Sequence, residues 1–324
     1  MSYTSTDENI LKCSLCPNHC SIPEGERGIC NVRENRKGEL FLPFYGVLSA
    51  VADDPIEKKP LYHFYPGSRI LSVGFYGCSF HCPFCQNYHI SQSTPSTAKK
   101  YTSPEELVDY ALKNHAFGIA YTYSEPTVHF EWMLETAQLA RRQGMKNVLV
   151  SNGYLNPAPA EELLQVIDAA NIDLKSIRSE FYREVVGGKL EPVLAFLHKA
   201  SEKIHLEITT LVIPGQTDSH EEIDQISSFI ASLDPDIPLH LSCYYPTYKY
   251  NIPPTNPDKV FFLAKRAQEY LNYVYPGNVG LAEVDTHCPE CNAILIRRRG
   301  YLVEKPGIRD GRCSRCGHGI SFPL

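Results

Sequence analysis

The chain has 324 residues, is 43% hydrophobic and 21% charged, and carries a formal net charge of −6. That composition suits a globular core and gives none of the basic field that nucleic-acid binding needs. No run approaches the ~18 apolar residues of a membrane helix, and the opening MSYTSTDENI has no apolar signal core, so no membrane contact and a cytoplasmic location are expected.

Twelve cysteines in such a chain point to metal, because disulfides are rare in the reducing cytosol. They fall in three groups, with Cys243 alone. The first group, Cys13-x2-Cys16-x3-Cys20-x9-Cys30, lies in a short Gly- and Pro-bearing segment, residues 1–40. It cannot bury a core unaided and needs a metal to fold, either zinc or a [4Fe–4S] cluster. DPIEKKPLYHFYPG (54–67) follows, dense in Lys58, Lys59, His63 and tyrosines. It reads as a structured strand–loop under the sheet or as a lip facing substrate.

From residue 70 the pattern becomes regular. ILSVGFYG (70–77) is an apolar strand closed by Gly77, which lets the chain turn into the second cysteine group. SPEELVDYALKN (103–114) opens as a helix does, with Ser103, Pro104 and two glutamates. GIAYTY (118–123) is a strand, VHFEWMLETAQLARRQG (128–144) a helix closed by Gly144, and NVLVSNG (147–153) a strand running into a turn. PAPAEELLQVIDAA (157–170) reads as helix, NIDLKS (171–176) as strand, LEPVLAFLHKASEK (190–203) as helix and HLEITTLVIPG (205–215) as strand. SHEEIDQISSFIASL (219–233) is a helix with Ser219 at the cap and Glu222 at the capping-box position. PLHLSCYYP (238–246) and NPDKVFFLAKRAQEYL (256–271) complete the series as strand and helix.

Strand and helix alternate about six times, which predicts a parallel sheet with helices outside. About 200 residues is short for an eight-fold barrel, so residues 41–285 are expected to form a partial (β/α)6 TIM-like barrel of the α/β class. Residues 286–324 differ. Cys288-x2-Cys291 and Cys313-x2-Cys316 make two knuckles, with Asn292 and Gly317 placed for positive φ and a hairpin, AILIRRRGYLV, between them. That is zinc-ribbon spacing; a rubredoxin-like iron and an auxiliary [4Fe–4S] cluster are the rival occupants. Arg297, Arg298 and Arg299 read as a solvated strand face.

The middle group, Cys78-x3-Cys82-x2-Cys85, has no fourth thiol nearby. A [4Fe–4S] cubane is ordinarily held by four thiolates. With three, one iron keeps an open position for a small molecule, and Phe84 would shield the cluster. In parallel α/β proteins the active site lies at the carboxyl ends of the strands. Ser124 and Glu125, Ser151 and Asn152, Asp173 and Lys175, Glu207 and His240 all fall on or after predicted strands. Charges buried on apolar strands need partners, which one zwitterionic ligand would supply.

The cysteine triad, an aromatic residue before its last thiol and a strand ahead of it, resembles the radical S-adenosylmethionine (SAM) superfamily. The strand ends are similar to those of pyruvate formate-lyase activating enzymes. The resemblance implies that Cys78, Cys82 and Cys85 hold a [4Fe–4S] cluster whose open iron chelates the amino and carboxylate groups of SAM. It implies reductive cleavage of SAM to a 5′-deoxyadenosyl radical that takes a hydrogen atom from substrate. It also implies a SAM pocket with Gly77, Phe84, Ser124, Glu125, Asn152, Lys175 and His240. Tyr123 and Ser124 replace the double glycine of Gly-Gly-Glu-Pro, and Val150 replaces the aspartate before Thr-Asn-Gly, so the contacts carry over in part.

Almost the whole chain resembles the AmmeMemoRadiSam-system radical SAM enzymes. The likeness runs through CSLCPNHC (13–20), G-x-C-x-V-R-x-N (28–35), DPIEKKPLYHFYPG (54–67), GCSFHCPFCQN (77–87), I-P-G-x-T-D (213–218) and the C-terminal cysteine pairs. Cys243 stands where that pattern has arginine. This resemblance implies Memo- or AMMECR-type partners or a protein substrate, and the activating enzymes imply a glycyl-radical partner. The chain has no flavin or nicotinamide fingerprint, so a flavodoxin- or ferredoxin-like electron donor is expected. A reading of another class is a non-catalytic zinc scaffold for protein partners; it leaves the strand-end charges without a ligand.

Overall fold

The computed structural model describes residues 3–7, 9–95, 100–280 and 284–324. Its centre is an eight-stranded sheet: β1 Ala50–Pro55, β2 Arg69–Gly74, β3 Gly118–Thr122, β4 Lys146–Ser151, β5 Ala169–Asp173, β6 His205–Val212, β7 Leu239–Cys243 and β8 Val274–Gly277. The strands lie in chain order. Strands β2 to β8 are parallel, and β1 is antiparallel on the outer edge of β2. Six helices return the chain: α1 Pro104–Lys113, α2 Phe130–Arg142, α3 Pro157–Leu164, α4 Glu191–Ser201, α5 His220–Leu233 and α6 Pro257–Ala267.

The expected α/β alternation is present, but the sheet adds a seventh parallel strand and an antiparallel one. Among the described residues no ladder joins β8 back to β1. Strand β8, Val-Tyr-Pro-Gly, is too short and too interrupted to show a period. Inner parallel strands are covered on both faces and so are apolar throughout; β3 is buried at every position. Ile119, Leu149, Ile172, Ile208 and Leu239 on strands share one core with Leu107, Met133, Leu163, Ile226 and Leu263 on helices.

Several boundaries differ from expectation. The helix expected over 157–170 stops at Leu164, and Ala169 and Ala170 belong to β5, paired with Val148 and Leu149 on one side and His205 and Leu206 on the other. Two alanines carry no periodicity of their own, and the ladder decides their state. The helix expected from residue 128 begins as a 3-10 turn, Pro126–His129. Helix α1 has a full capping box: Glu106 N–H donates to Ser103 Oγ at 3.1 Å, and Ser103 N–H to the Glu106 carboxylate at 2.9 Å. Helix α5 has only the Ser219 half. The Glu222 carboxylate instead accepts from the Ser176 hydroxyl, Ile177 N–H and Arg178 Nε, fixing the loop after β5.

Two cysteine-bearing modules flank this core. At the N-terminus, strands Thr4–Asp7, Ile10–Cys13 and Ser21–Ile22 form a small sheet that sends Leu11, Leu15 and Ile22 into the main core. Its buried Arg33 grips Glu131 of α2 through two bonds of 2.9 and 2.7 Å. At the C-terminus, Ile294–Arg299 and Leu302–Glu304 form the expected hairpin. The assignment of Arg298 to a solvated face is corrected. Its guanidinium is buried 4.5 Å over the Tyr62 ring and donates to Tyr62 O at 2.5 Å and Thr286 Oγ1 at 2.7 Å. A guanidinium is weakly hydrated and stacks on aromatic faces, so such burial is tolerable. No helix is long and apolar enough to cross a membrane, among the described residues.

Candidate active site

Residues at or just past the ends of β3 to β8 line a cavity of about 840 Å³. That volume is in the range of small-molecule sites. Cys78, Cys82 and Cys85 all reach it, together with Phe84, Ser124, Glu125, Asn152, Lys175 and His240. Gly77 does not. It sits at φ +81°, where a Cβ would lie 2.3 Å from the Cys30 carbonyl oxygen, so the N-terminal module can lie against the triad loop.

The triad loop is built to keep its sulfurs turned inward. Phe80 N–H donates to Cys78 Sγ at 3.4 Å, Asn152 Nδ2 approaches the same sulfur at 3.7 Å, and Cys85 Sγ meets Ser91 Oγ at 3.1 Å. Phe84 is buried between Phe181 and Tyr250, at 6.1 and 5.9 Å, and shields the loop from solvent. Burial lifts the Cys78 thiol well above its ordinary range. Burial also lifts Cys82 to about 11, against the Lys175 ammonium nearby. Bare, these groups stay protonated at neutral pH; a bound cation would convert them to thiolates. The donor set therefore fits an iron–sulfur cluster with three protein ligands.

Beside the triad, the buried Glu125 carboxylate accepts from Thr127 N–H and Oγ1 at 3.1 and 2.7 Å, Ser151 Oγ at 2.7 Å and Asn152 N–H at 2.8 Å. Burial raises its pKa in spite of these bonds. The Ser124 hydroxyl is buried on the same wall with no partner among the described residues. Tyr123 takes the place of a glycine by adopting φ +71°. Its ring lies 4.4 Å from Lys59 Nζ, its hydroxyl donates to Asp54 at 2.5 Å, and Asn87 holds its carbonyl at 2.6 Å.

Lys175 stands two residues beyond the end of β5, not inside a strand as expected, with Nζ 3.0 Å from Asp173. Burial works against its charge, and the Asp173 carboxylate outweighs this and holds its pKa above the usual lysine range. Glu207 is also corrected. It needs no ligand, because its buried carboxylate accepts from His240 at 2.6 Å, His205 at 3.0 Å, Tyr62 N–H at 3.0 Å and His63 N–H at 2.7 Å. Burial pushes its pKa up, but the histidine bonds prevail and hold it well below the carboxylate range. Glu207 thereby fixes His240 on the cavity wall, edge-on to Tyr62 at 4.7 Å.

The 54–67 segment is both structured and on the site: Lys58, Lys59 and Tyr62 line the cavity, and Lys59 is buried against Asp54 at 2.7 Å. Thr209, Asn278 and Tyr301 also line it. No local pattern marks them, and Tyr301 arrives from the C-terminal hairpin. Cys243 is buried in the main core.

In the C-terminal module Cys288, Cys291, Cys313 and Cys316 place their sulfurs within 4.8 Å of one another, an arrangement that could hold a metal ion. Each knuckle closes by a matching 2.9 Å turn bond, Asn292 N–H to Cys288 O and Gly317 N–H to Cys313 O. Asn292 and Gly317 have the positive φ expected of them, +57° and +79°.

The Radical SAM superfamily model matches residues 72–226. Over 332 aligned positions, 100% of this chain and 99% of the relative, the sequence is 40% identical to the protein MJ0808 of Methanocaldococcus jannaschii. It is 23% identical over 173 residues to the pyruvate formate-lyase 1-activating enzyme of Escherichia coli, covering 51% of this chain and 69% of that protein. A radical SAM methyltransferase from Sphaerobacter thermophilus has a similar fold, with TM-score 0.53 and 12% identity over 66% of this chain and 67% of that one.

Proposed function

The chain belongs to the radical SAM superfamily and to the family of MJ0808, and from that premise we propose that it cleaves SAM reductively with Cys78, Cys82 and Cys85 as cluster ligands. The support is one shared wall: three inward thiols, the Ser124 hydroxyl and the Glu125, Asn152 and Lys175 side chains line a single cavity. When bound, a [4Fe–4S] cluster supplies the low-potential electron that splits SAM into methionine and a 5′-deoxyadenosyl radical, which takes a hydrogen atom from substrate.

The chain's own residues bind and orient. Glu125 and Ser124 receive the SAM ammonium, and Lys175 receives its carboxylate. Asn152 and His240 face the nucleoside, with His240 held in place by Glu207. Phe84, Phe181 and Tyr250 keep water from the triad. A flavodoxin- or ferredoxin-like protein donates electrons in the cytoplasm. The likeness to an activating enzyme favours a protein partner that receives a glycyl radical, and the motif likeness to the AmmeMemoRadiSam system favours a Memo- or AMMECR-linked substrate. A glycyl-radical EPR signal in the partner separates these two.

The test is anaerobic purification with metal analysis, followed by dithionite and SAM and chromatography for 5′-deoxyadenosine. The expected result is a brown protein that makes 5′-deoxyadenosine and loses this on Cys82→Ala. A colourless protein holding only zinc, inert to SAM after iron–sulfur reconstitution, overturns the proposal and leaves the zinc scaffold.

A further inference from the structure

The 54–67 segment brings two lysines to the cavity and a single carboxylate to meet them. Lys58 Nζ lies 2.8 Å from Asp54 Oδ1, and Lys59 Nζ lies 2.7 Å from Asp54 Oδ2. Tyr123 donates its hydroxyl to the same Oδ2 at 2.5 Å, so both carboxylate oxygens are engaged. Two ammonium groups against one carboxylate leave the trio one positive charge in excess. The neighbouring Glu57 is not part of this balance. One of its oxygens accepts Gly67 N–H at 2.8 Å, and the other meets no donor among the described residues, so neither lysine bonds to it.

Water does not absorb all of that excess. Lys58 is exposed and Lys59 is 1% exposed, and both line the cavity, so the pair runs from the rim inward. An ammonium carries three N–H donors. Asp54 takes one from Lys59, and the Tyr123 ring face, 4.4 Å away, takes another; the third has no partner among the described residues. A buried charge without a full countercharge is costly. An ion pair that served only to anchor the segment would need one lysine. The cation assigned to SAM is a different case. Lys175 follows β5, four strands from β1 in sheet order, and has Asp173 to itself at 3.0 Å.

We propose that Lys58 and Lys59 form a subsite for an oxyanion of the substrate, a carboxylate or a phosphate, held in the cavity beside SAM. An oxyanion between the two ammonium groups completes the charge balance and accepts from the spare N–H of Lys59 through charge-assisted bonds. The anion site stands on its own geometry; its assignment to the substrate rests on the radical SAM reading.

The test is isothermal titration calorimetry of the full chain at constant ionic strength, with inorganic phosphate in one arm and acetate in the other. Saturable binding is expected, and the tighter anion names the group the substrate carries. Lys58→Gln should weaken that binding about tenfold, Lys58→Arg should restore it, and Lys175→Gln should leave it unchanged. Asp54→Asn frees both ammonium groups and should tighten it, a change that misfolding does not produce. On reconstituted protein, saturating SAM should leave the anion's affinity as it was. No saturable binding of either anion overturns the subsite. So does binding that falls in Lys175→Gln instead of Lys58→Gln, binding that weakens in Asp54→Asn, or competition from SAM. Failure of the radical SAM reading shows separately, as native protein that makes no 5′-deoxyadenosine while the anion still binds.

Discussion

At Glu125 burial and hydrogen bonding pull in opposite directions. Burial wins, so the carboxyl stays above its ordinary pKa although four donors surround it. A SAM ammonium would supply the missing positive charge. Glu125→Gln keeps the shape and removes the charge, and a charge-assisted bond contributes about 1.5–3 kcal/mol, so SAM affinity should fall at least tenfold with iron content unchanged. Equilibrium dialysis of reconstituted protein measures this. Because the carboxyl must be ionised to bind, native affinity should weaken as pH falls through the raised pKa, and the glutamine variant should lack that dependence. Glu207 has the opposite sign. Its folded pKa is depressed, so its stabilisation is full above the ordinary glutamate value of ~4.3 and is lost as pH falls toward the folded value. Breaking a buried charge network costs about 3–5 kcal/mol. Glu207→Gln should therefore lower the denaturation midpoint strongly at pH 7, with the gap closing in acid. The sequence shows both glutamates as charges near apolar runs. It does not show that Glu207 is answered by Tyr62 and His63, because that pairing exists only once β6 and the 54–67 loop are side by side.

Among the elements, amphipathic helices are the most legible because their period repeats over several turns, as in α1, α2 and α5. Strand β8 and the end of α3 are illegible for the opposite reason, being short and settled by neighbours. The triad loop is legible in spacing but not in its contacts. Gly77 marks a turn in the sequence, and the structure makes it the seam with Cys30. Gly77→Ala adds a backbone clash and left-handed strain of about 1–3 kcal/mol. It should lower both the melting temperature and the iron retained, measured on the same anaerobic sample. In the C-terminal knuckles the predicted φ signs are correct, since only a few residue types tolerate that turn. Four sulfurs within 4.8 Å of one another could hold a single metal ion. Cys291→Ser should lower the bound metal by about one ion per chain, and elemental analysis of the native protein tells zinc from iron; unchanged metal content would place the ion elsewhere.

For the molecule as a whole, the α/β class is readable from alternation and the grouping of three thiols at one strand end from spacing, while the way the two terminal modules meet the sheet is not. No pattern in residues 286–324 says that Arg298 will be buried against Tyr62 or that Tyr301 will reach the cavity. Those contacts join distant parts of the chain and depend on the shape of the finished core. Arg298→Ala removes the stacked, hydrogen-bonded anchor of the C-terminal module. Limited proteolysis should then cut within residues 284–324 faster than in the native protein while the core stays protected; equal rates would mean the apolar cluster around Tyr275 and Leu295 holds the module alone.

Gly300 and Tyr301, part of the cavity wall, leave the ribosome long after Cys85. Until the C-terminal hairpin is made, the three thiols lie in a site whose wall is incomplete. A cluster delivered before the hairpin folds would meet a wall that still lacks Gly300 and Tyr301. The order in which the wall is made therefore puts the closing hairpin after every other part of the site.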